Sequence, residues 1–248
     1  MNRIGSAVLR YDRLPSTNDV ARELAQTYAP EGVAVVAREQ IAGRGRQGRA
    51  WASPAGQGLN CSIILRPRVS PADATFITLA RAIAVVETLA DDFQVLADIK
   101  WPNDVHVGGR KLCGILVETA IESGALQFAI MGIGVNIAQR EFPDDLKAIA
   151  TSLFIESGKK IAPEEFLMPL LVRLEVWYRR ALAQPAEIIA KWEASSSYAR
   201  DCAVQVVSAE GVIEGTTRGL APSGALTLEL TNGERREIVA GDVRLRKG

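Results

Sequence analysis

The sequence predicts an α+β fold: a mixed or antiparallel sheet with helices on one side, followed by a small all-β barrel. Three observations carry this. Helical and strand-like segments do not alternate regularly, which argues against a doubly wound parallel sheet. Four strand-like runs follow one another as DIKW, DVHV, LCGILVE and LQFAIMGIGVNI, with tight turns at Gly108-Gly109 and Ser123-Gly124, as in a meander. From Ala203 onward the segments are short, strand-like and punctuated by glycine.

Taken in order, Ser16 or Thr17 can cap a helix whose apolar positions Val20, Ala21, Leu24, Ala25 and Tyr28 recur at helical spacing, with Gly32 as its end. VAVVAR (Val33 to Arg38) reads as a buried strand and CSIIL (Cys61 to Leu65) as a shorter one. Asp73 to Asp91 reads as a long helix with Phe76, Leu79, Ala80, Ile83 and Val86 on its core side. After the meander, Pro163 opens a helix to about Ala183 and Pro185 another to about Ser195. The chain is expected to divide into residues 1–199, holding the site, and 200–248, the barrel.

Composition narrows the function classes. With 48% hydrophobic and 23% charged residues, the chain belongs with ordinary folded proteins, not disordered ones. Lys+Arg and Asp+Glu both total 29, so no overall field draws it to nucleic acid or an anionic membrane, and any anion binding is local. The N-terminus lacks an apolar signal region and no stretch is long enough for a membrane span, so a cytoplasmic protein is expected. Cys61, Cys113 and Cys202 are widely spaced, which suits small core residues better than a disulfide framework or zinc site. A single histidine, His106, excludes a His-based zinc cluster.

The chemistry concentrates in four places. Gly43-Arg44-Gly45-Arg46-Gln47-Gly48-Arg49 contains G-x-G-x-x-G, but AWASPAGQGLN follows where a dinucleotide fold needs a helix, and no Gly-Lys-Ser/Thr closes it as a P-loop. What remains is a bare backbone with three guanidinium groups, suited to gripping phosphate or carboxylate. In Lys100-Trp101-Pro102-Asn103-Asp104, the Asn-Asp pair either fixes a turn or offers oxygens to Mg²⁺. Lys111 begins a strand in which Gly114 permits close approach; its ammonium either reaches solvent or pairs with a substrate carboxylate. Gly132 and Gly134 suggest a flat surface for a planar group, and Asn136 needs partners that a purine or neighbouring backbone would supply.

Together these elements resemble the biotin–protein ligases, or biotin–acetyl-CoA-carboxylase ligases. In family order stand Ser16-Thr17-Asn18, the Gly43 to Arg49 loop, Lys100 to Asp104, and Lys111-Leu-Cys-Gly-Ile-Leu-Val-Glu. Gly132-Ile-Gly-Val-Asn-Ile and Ala150-Thr-Ser-Leu complete the set. The likeness spans nearly the whole chain, and the ordered set is far more specific than any one motif. It implies a catalytic domain like that of the class II aminoacyl-tRNA synthetases, an SH3-like C-terminal domain, and ligation of biotin through biotinyl-5′-AMP to a lysine of a biotin carboxyl carrier protein. Substrates would be biotin and ATP, with Mg²⁺ as cofactor.

Carried over residue by residue, the resemblance implies that Ser16, Thr17, Gln40, Gly43, Arg44, Gly114 and Leu116 bind biotin. Arg46, Arg49, Trp51, Asn103, Asp104, Asn136 and Arg246 fall at the ATP or adenylate, Asp104 also at Mg²⁺, and Lys111 with Arg46 at the reacting groups. Only 15 residues precede Ser16, too few for the N-terminal winged helix of bifunctional relatives, so a monofunctional enzyme without DNA binding is expected. The resemblance also leaves room for a homodimer. The nearest alternative is a lipoate or octanoate transferase: octanoyl transfer needs a cysteine nucleophile, and lipoate needs a longer apolar slot. A non-catalytic regulator would have lost Lys111 or the arginines, which are present.

Overall fold

A computed structural model describes residues 3–51, 53–208 and 211–245. Strand β1 (Ala7–Leu14) leads through helix α1 (Thr17–Gln26) to β2 (Val33–Gln40), and a 3-10 turn at Arg46–Gly48 interrupts the path to β3 (Gly58–Leu65). Helix α2 (Ala74–Phe93) precedes the meander β4 (Asp98–Lys100), β5 (Asp104–Val107), β6 (Arg110–Glu122) and β7 (Ala125–Asn136). Short helices α3 (Asp144–Lys147) and α4 (Leu153–Ser157) are followed by the longer α5 (Pro163–Ala183) and α6 (Pro185–Ala194). Five strands close the chain: β8 (Arg200–Ser208), β9 (Gly211–Leu220), β10 (Leu226–Glu229), β11 (Arg235–Ile238) and β12 (Asp242–Leu245).

The first seven strands form one sheet in the order β1-β2-β3-β7-β6-β5-β4, with β1 and β2 parallel and the remaining pairs antiparallel. Strands β8 to β12 form a second, antiparallel sheet in the order β11-β10-β9-β8-β12. This is the α+β architecture with a small SH3-like unit that the sequence predicts.

Helices cover both faces of the first sheet, not one as the sequence predicts. Successive strand residues face opposite sides. Ala34 and Val36 therefore join the large core with Ile83 of α2 and Phe166 of α5, while Val33 and Val35 join Ala21 and Ala25 of α1 in a separate cluster. Helix α1 lies on the face away from α2 and α5. It also ends at Gln26, not at Gly32; Tyr28 follows with φ 64° and is 89% exposed, so it is not a core position. Strand β1 escaped the sequence reading because AVLRYDRL shows no apolar alternation. As an edge strand it pairs only with β2 and leaves its charged residues in solvent.

Two features of the fold position the site. Beta strands 6 and 7 run in register with Gly114 opposite Gly134 and Leu116 opposite Gly132, so the ladder lacks side chains on part of one face. The second sheet is not a loose appendage: Val204, Val206, Leu226 and Leu228 share one buried cluster with Leu79 of α2 and Trp192 of α6. Gly224 sits so close to α2 that a Cβ would lie 2.9 Å from Thr75. This docking brings Asp242 and Arg244 to a cavity on the first sheet.

Candidate active site

A cavity of about 680 Å³ opens over the β6–β7 ladder. Its wall includes the start of α1, the arginine loop, Lys100 to Asp104, Lys111 and the edge of the second sheet. Thirteen of the fifteen residues predicted for the site line it: Ser16, Thr17, Gln40, Arg44, Arg46, Arg49, Trp51, Asn103, Asp104, Lys111, Gly114, Leu116 and Asn136. Gly43 does not. It lies behind the wall, where its carbonyl accepts from the Trp51 N–H at 2.9 Å and a Cβ would come within 2.6 Å of the Trp51 carbonyl. Gly43 therefore closes the loop on itself. Arg246 lies outside the described residues.

One end of the cavity is a chain of hydrogen bonds between uncharged side chains, anchored at its far end on the Glu118 carboxylate. Ser16 caps α1 without using its side chain, and Thr17 donates its backbone N–H to Gln40 Oε1 at 2.7 Å. The Thr17 hydroxyl lies 3.0 Å from that same oxygen and 2.7 Å from Ser62 Oγ. Ser62 donates to Asn18 Oδ1 at 2.6 Å, and Asn18 Nδ2 donates to Glu118 at 2.6 Å. On the other side Gln40 Nε2 donates to Asn60 Oδ1 at 3.2 Å. Thr17, Asn18, Asn60 and Ser62 are all buried, so each unmade bond here would be costly.

The other end is ionic. Among the described residues, six Lys or Arg and three carboxylates line the cavity. Lys111 Nζ pairs with Asp104 at 2.8 Å, Arg49 with Asp242, and Arg44 with Asp19 just outside the wall. The Arg44 hydrogen bond holds the Asp19 carboxyl below the usual range, and the Asp19 bond in turn raises the Arg44 guanidinium. Among the described residues Arg46 donates only to neutral oxygens, those of Asn103 at 3.3 Å and Gly241 at 3.4 Å. Burial pushes the Lys100 ammonium below its ordinary range, against the pull of Asp104 and Asp242. The cavity thus carries an excess of positive charge that its own carboxylates do not balance.

Between these ends lies Trp51. A Cβ on Gly134 would fall 2.4 Å from its indole, and one on Gly114 would fall 3.1 Å from it. The flat surface predicted from the glycines is real, but in this structure the planar group on it is the chain's own tryptophan. The Lys111 ammonium stands 5.8 Å from the centre of that ring.

Past Gly134, Asn136 donates to the Thr151 carbonyl at 3.0 Å and accepts from Gln139 Nε2 at 3.1 Å. Of the two partners considered for Asn136, the protein thus supplies one directly. Gln139 then presents a buried Oε1 with no hydrogen-bond partner among the described residues. Gln139, Ser62, Asn60, Glu118, Asp19 and Asp242 were not singled out from the sequence. Ser62, Asn60, Glu118 and Asp242 meet their partners only across strands or through docking of the second sheet, Asp19 meets Arg44 only when the loop folds back on α1, and Gln139 follows Asn136 with no motif to mark it.

No described cysteine lines the cavity. Cys61 and Cys113 are fully buried and desolvation pushes both thiols up, Cys61 to about 12. Cys202 is only half-buried, not a core residue, and lies on the second sheet. His106 is buried and burial lowers its pKa. Its Nδ1 lies 3.1 Å from the Gly109 carbonyl, so the ring proton sits on that nitrogen. Among the described residues no group of three His, Cys, Asp or Glu is arranged to hold a metal.

Comparison with known proteins agrees with this geometry. The Biotin/lipoate A/B protein ligase family matches residues 11–136 and the Biotin protein ligase C terminal domain matches residues 203–246. The Bifunctional ligase/repressor BirA of Bacillus subtilis is 37% identical over 98% of this chain and 75% of its own length. A biotin--[acetyl-CoA-carboxylase] ligase of Paracoccus denitrificans is 34% identical over 93% of this chain and 97% of its own. The solved structure of biotin protein ligase from Aquifex aeolicus in complex with biotin and ATP superposes with a TM-score of 0.83 at 29% identity, covering 98% of this chain and all of that one. With both segments matched and relatives of this identity along almost its full length, the chain belongs to the biotin protein ligase family.

Proposed function

We propose that this chain activates biotin with ATP, forming biotinyl-5′-AMP and pyrophosphate, and then transfers the biotinyl group to a lysine of a biotin carboxyl carrier domain. The order of groups along β7 carries this reading. Asn18 and its hydrogen-bond chain stand over Gly132, Trp51 and Lys111 stand at Gly134 and Gly114, and Asn136 with Gln139 follows. Two residues of a strand span roughly 6.6–6.8 Å. A polar head group, a carboxylate meeting a phosphate, and a base can therefore lie in that sequence along one cavity.

In this reading Ser16, Thr17 and Gln40 meet the biotin head group, with Gly114 and Leu116 along the slot. Lys111 exchanges Asp104 for the biotin carboxylate. One carboxylate oxygen attacks the α-phosphorus and pyrophosphate leaves; Arg44, Arg46, Arg49 and Lys111 are in place before charge accumulates, which is where fixed cations accelerate most. Asn103 orients Arg46, and Trp51 closes over the nucleotide. Asn136 holds Gln139, whose free oxygen suits the exocyclic amine of adenine. Arg246 is proposed from the family pattern alone. Attack by the neutral amine of the carrier lysine on the acyl carbon then forms the amide and releases AMP.

The donor set fits Mg²⁺ only as an ion brought in by the triphosphate, with Asp104 as its protein carboxylate, since Mg²⁺ is commonly held by one or two carboxylates plus substrate phosphates. Bound there it would neutralise phosphate charge. The shifted, buried thiols speak against octanoyl transfer through cysteine. The division at residues 199 and 200, a cytoplasmic setting and the lack of a DNA role belong to the same reading. They rest on the second sheet starting at Arg200, on no described helix being long and apolar enough to cross a membrane, and on the balanced charge. A homodimer belongs to the same reading, from the family pattern. The deciding experiment is biotin-dependent ATP–pyrophosphate exchange by the purified chain. Octanoate in place of biotin, or no exchange at all, would overturn the proposal.

A further inference from the structure

We infer that Glu118 is a positioning residue that acts through Asn18 and Ser62 to make Thr17 a pure hydrogen-bond acceptor toward the biotin slot. The inference rests on the function proposed above and deepens it, because it says which chemical feature of the head group Thr17 can select.

The direction of each bond is set by where its hydrogen can go. A carboxylate can only accept, so the Asn18 amide turns its Nδ2 toward Glu118, at 2.6 Å, and its oxygen toward Ser62. That oxygen can also only accept, so the single hydroxyl hydrogen of Ser62 goes to Asn18 and Ser62 Oγ meets Thr17 with a lone pair. The far side is fixed in the same way. Asn60 Nδ2 donates to the Ala37 carbonyl at 3.3 Å, which leaves Asn60 Oδ1 to accept from Gln40 Nε2 and turns Gln40 Oε1 to Thr17. The Thr17 hydroxyl stands between two acceptors. Its hydrogen is donated into the wall on either choice, and its lone pairs are what the slot is offered. A ring N–H of a ureido group satisfies them; a carbonyl in that place would be repelled.

Two further observations support a purpose for this chain of contacts. A Cβ at Gly132 would fall 2.4 Å from Asn18 Oδ1, so the strand leaves out a side chain where Asn18 must stand. Arg22 holds the other Glu118 oxygen at 2.7 Å, which fixes the carboxylate from the surface side.

Glu118→Gln tests the inference. A glutamine amide can donate as well as accept, so Asn18 is free to turn and the Ser62 hydrogen to occupy a Thr17 lone pair. The KM for biotin in pyrophosphate exchange should rise roughly two- to tenfold, with kcat and the KM for ATP moving far less. In a Ser62→Ala background, where the link to Thr17 is cut, the same substitution should add almost nothing, a coupling that a double-mutant cycle reads directly. Glu118→Asp keeps an acceptor-only group and should recover most of the affinity; it also serves if the glutamine variant does not fold. Additive losses in the cycle, an unchanged biotin KM in folded Glu118→Gln, or equal losses for Asp and Gln would overturn the role of Glu118. A wild-type chain without biotin-dependent exchange would overturn the proposed function itself, and this inference with it.

Discussion

The two ends of the cavity hold their polar groups in opposite ways. At the α1 end, Thr17, Asn18, Asn60 and Ser62 are buried, uncharged and bonded to one another in fixed directions. At the loop end, Arg44, Arg49 and Lys111 are partly exposed and each is paired with a carboxylate of the protein. Burial makes the first end costly to rearrange and so preorganised. The second end is preneutralised: exposed ion pairs contribute only about 0–1 kcal/mol each, so a substrate anion can replace a protein carboxylate at little cost. The first arrangement suits selection of a neutral group, the second capture and release of charged ones.

The strongest break in this contrast is Lys111→Ala. It removes the cation at the junction and should lower biotin-dependent pyrophosphate exchange by roughly 10²–10³-fold, the scale of losing one preorganised charge-stabilising group. Its ion pair with Asp104 is about one-third exposed, so the thermal midpoint should barely move. Exchange at the wild-type rate would remove Lys111 from the reaction.

Arg46→Gly breaks the loop end less completely. Arg46 has no carboxylate partner among the described residues and lines the cavity, which leaves it available to a phosphate. Losing one charge-assisted grip costs on the order of 1.5–3 kcal/mol, or roughly ten- to a hundredfold in retention of the adenylate. Glycine also makes the loop costlier to order. Adenylation should persist with Lys111 in place, while released biotinyl-5′-AMP labels bystander lysines. Incubation with biotin, ATP and albumin, followed by a streptavidin blot, checks this; labelling no stronger than with wild type, while exchange is still measurable, would show that Arg46 does not retain the intermediate.

The contrast also separates what could be read in the sequence from what could not. Loop-end cations were legible because Gly43 to Arg49 gathers three in one short segment, and Lys100 and Lys111 bound a second segment of twelve residues. The neutral end was not. Ser62 and Glu118 stand singly in apolar strands and reach Asn18 across 44 and 100 residues of chain. Helix and strand periodicity located α2, α5, α6 and the meander, yet could not show that α1 crosses to the opposite face, because that depends on which strand residues pair. The glycine platform was legible as a flat surface, but Trp51 reaches it only because the loop closes through the Gly43 and Trp51 backbones.

Gln139→Leu sharpens the comparison by asking whether the adenine region resembles the neutral end. If the unpartnered Gln139 oxygen accepts from the exocyclic amine, the variant should lose roughly two- to tenfold in preference for ATP over ITP, which lacks that amine. Unchanged discrimination in exchange assays with the two nucleotides would assign adenine recognition elsewhere.

The smallest expected effect concerns His106, a neutral buried group set within the ionic end. Lys100 and Lys111 add to the burial that lowers its pKa, while the Gly109 hydrogen bond and Asp104 oppose the shift. A folded-state pKa below the unfolded value means that the unfolded chain binds the proton first as pH falls. Stability contributed by neutral His106 is therefore present above the unfolded histidine value, near 6.5, and is lost as pH drops through the lower folded value. His106→Asn keeps a donor for the Gly109 carbonyl but does not titrate. Thermal midpoints measured between pH 7.5 and about 5 should fall less steeply in this variant than in wild type. Because the chain has a single histidine, the difference between the two curves belongs to this one ring. Parallel curves would mean that His106 gains its proton equally easily in both states, and that the ionic end tolerates a charged imidazole within its wall.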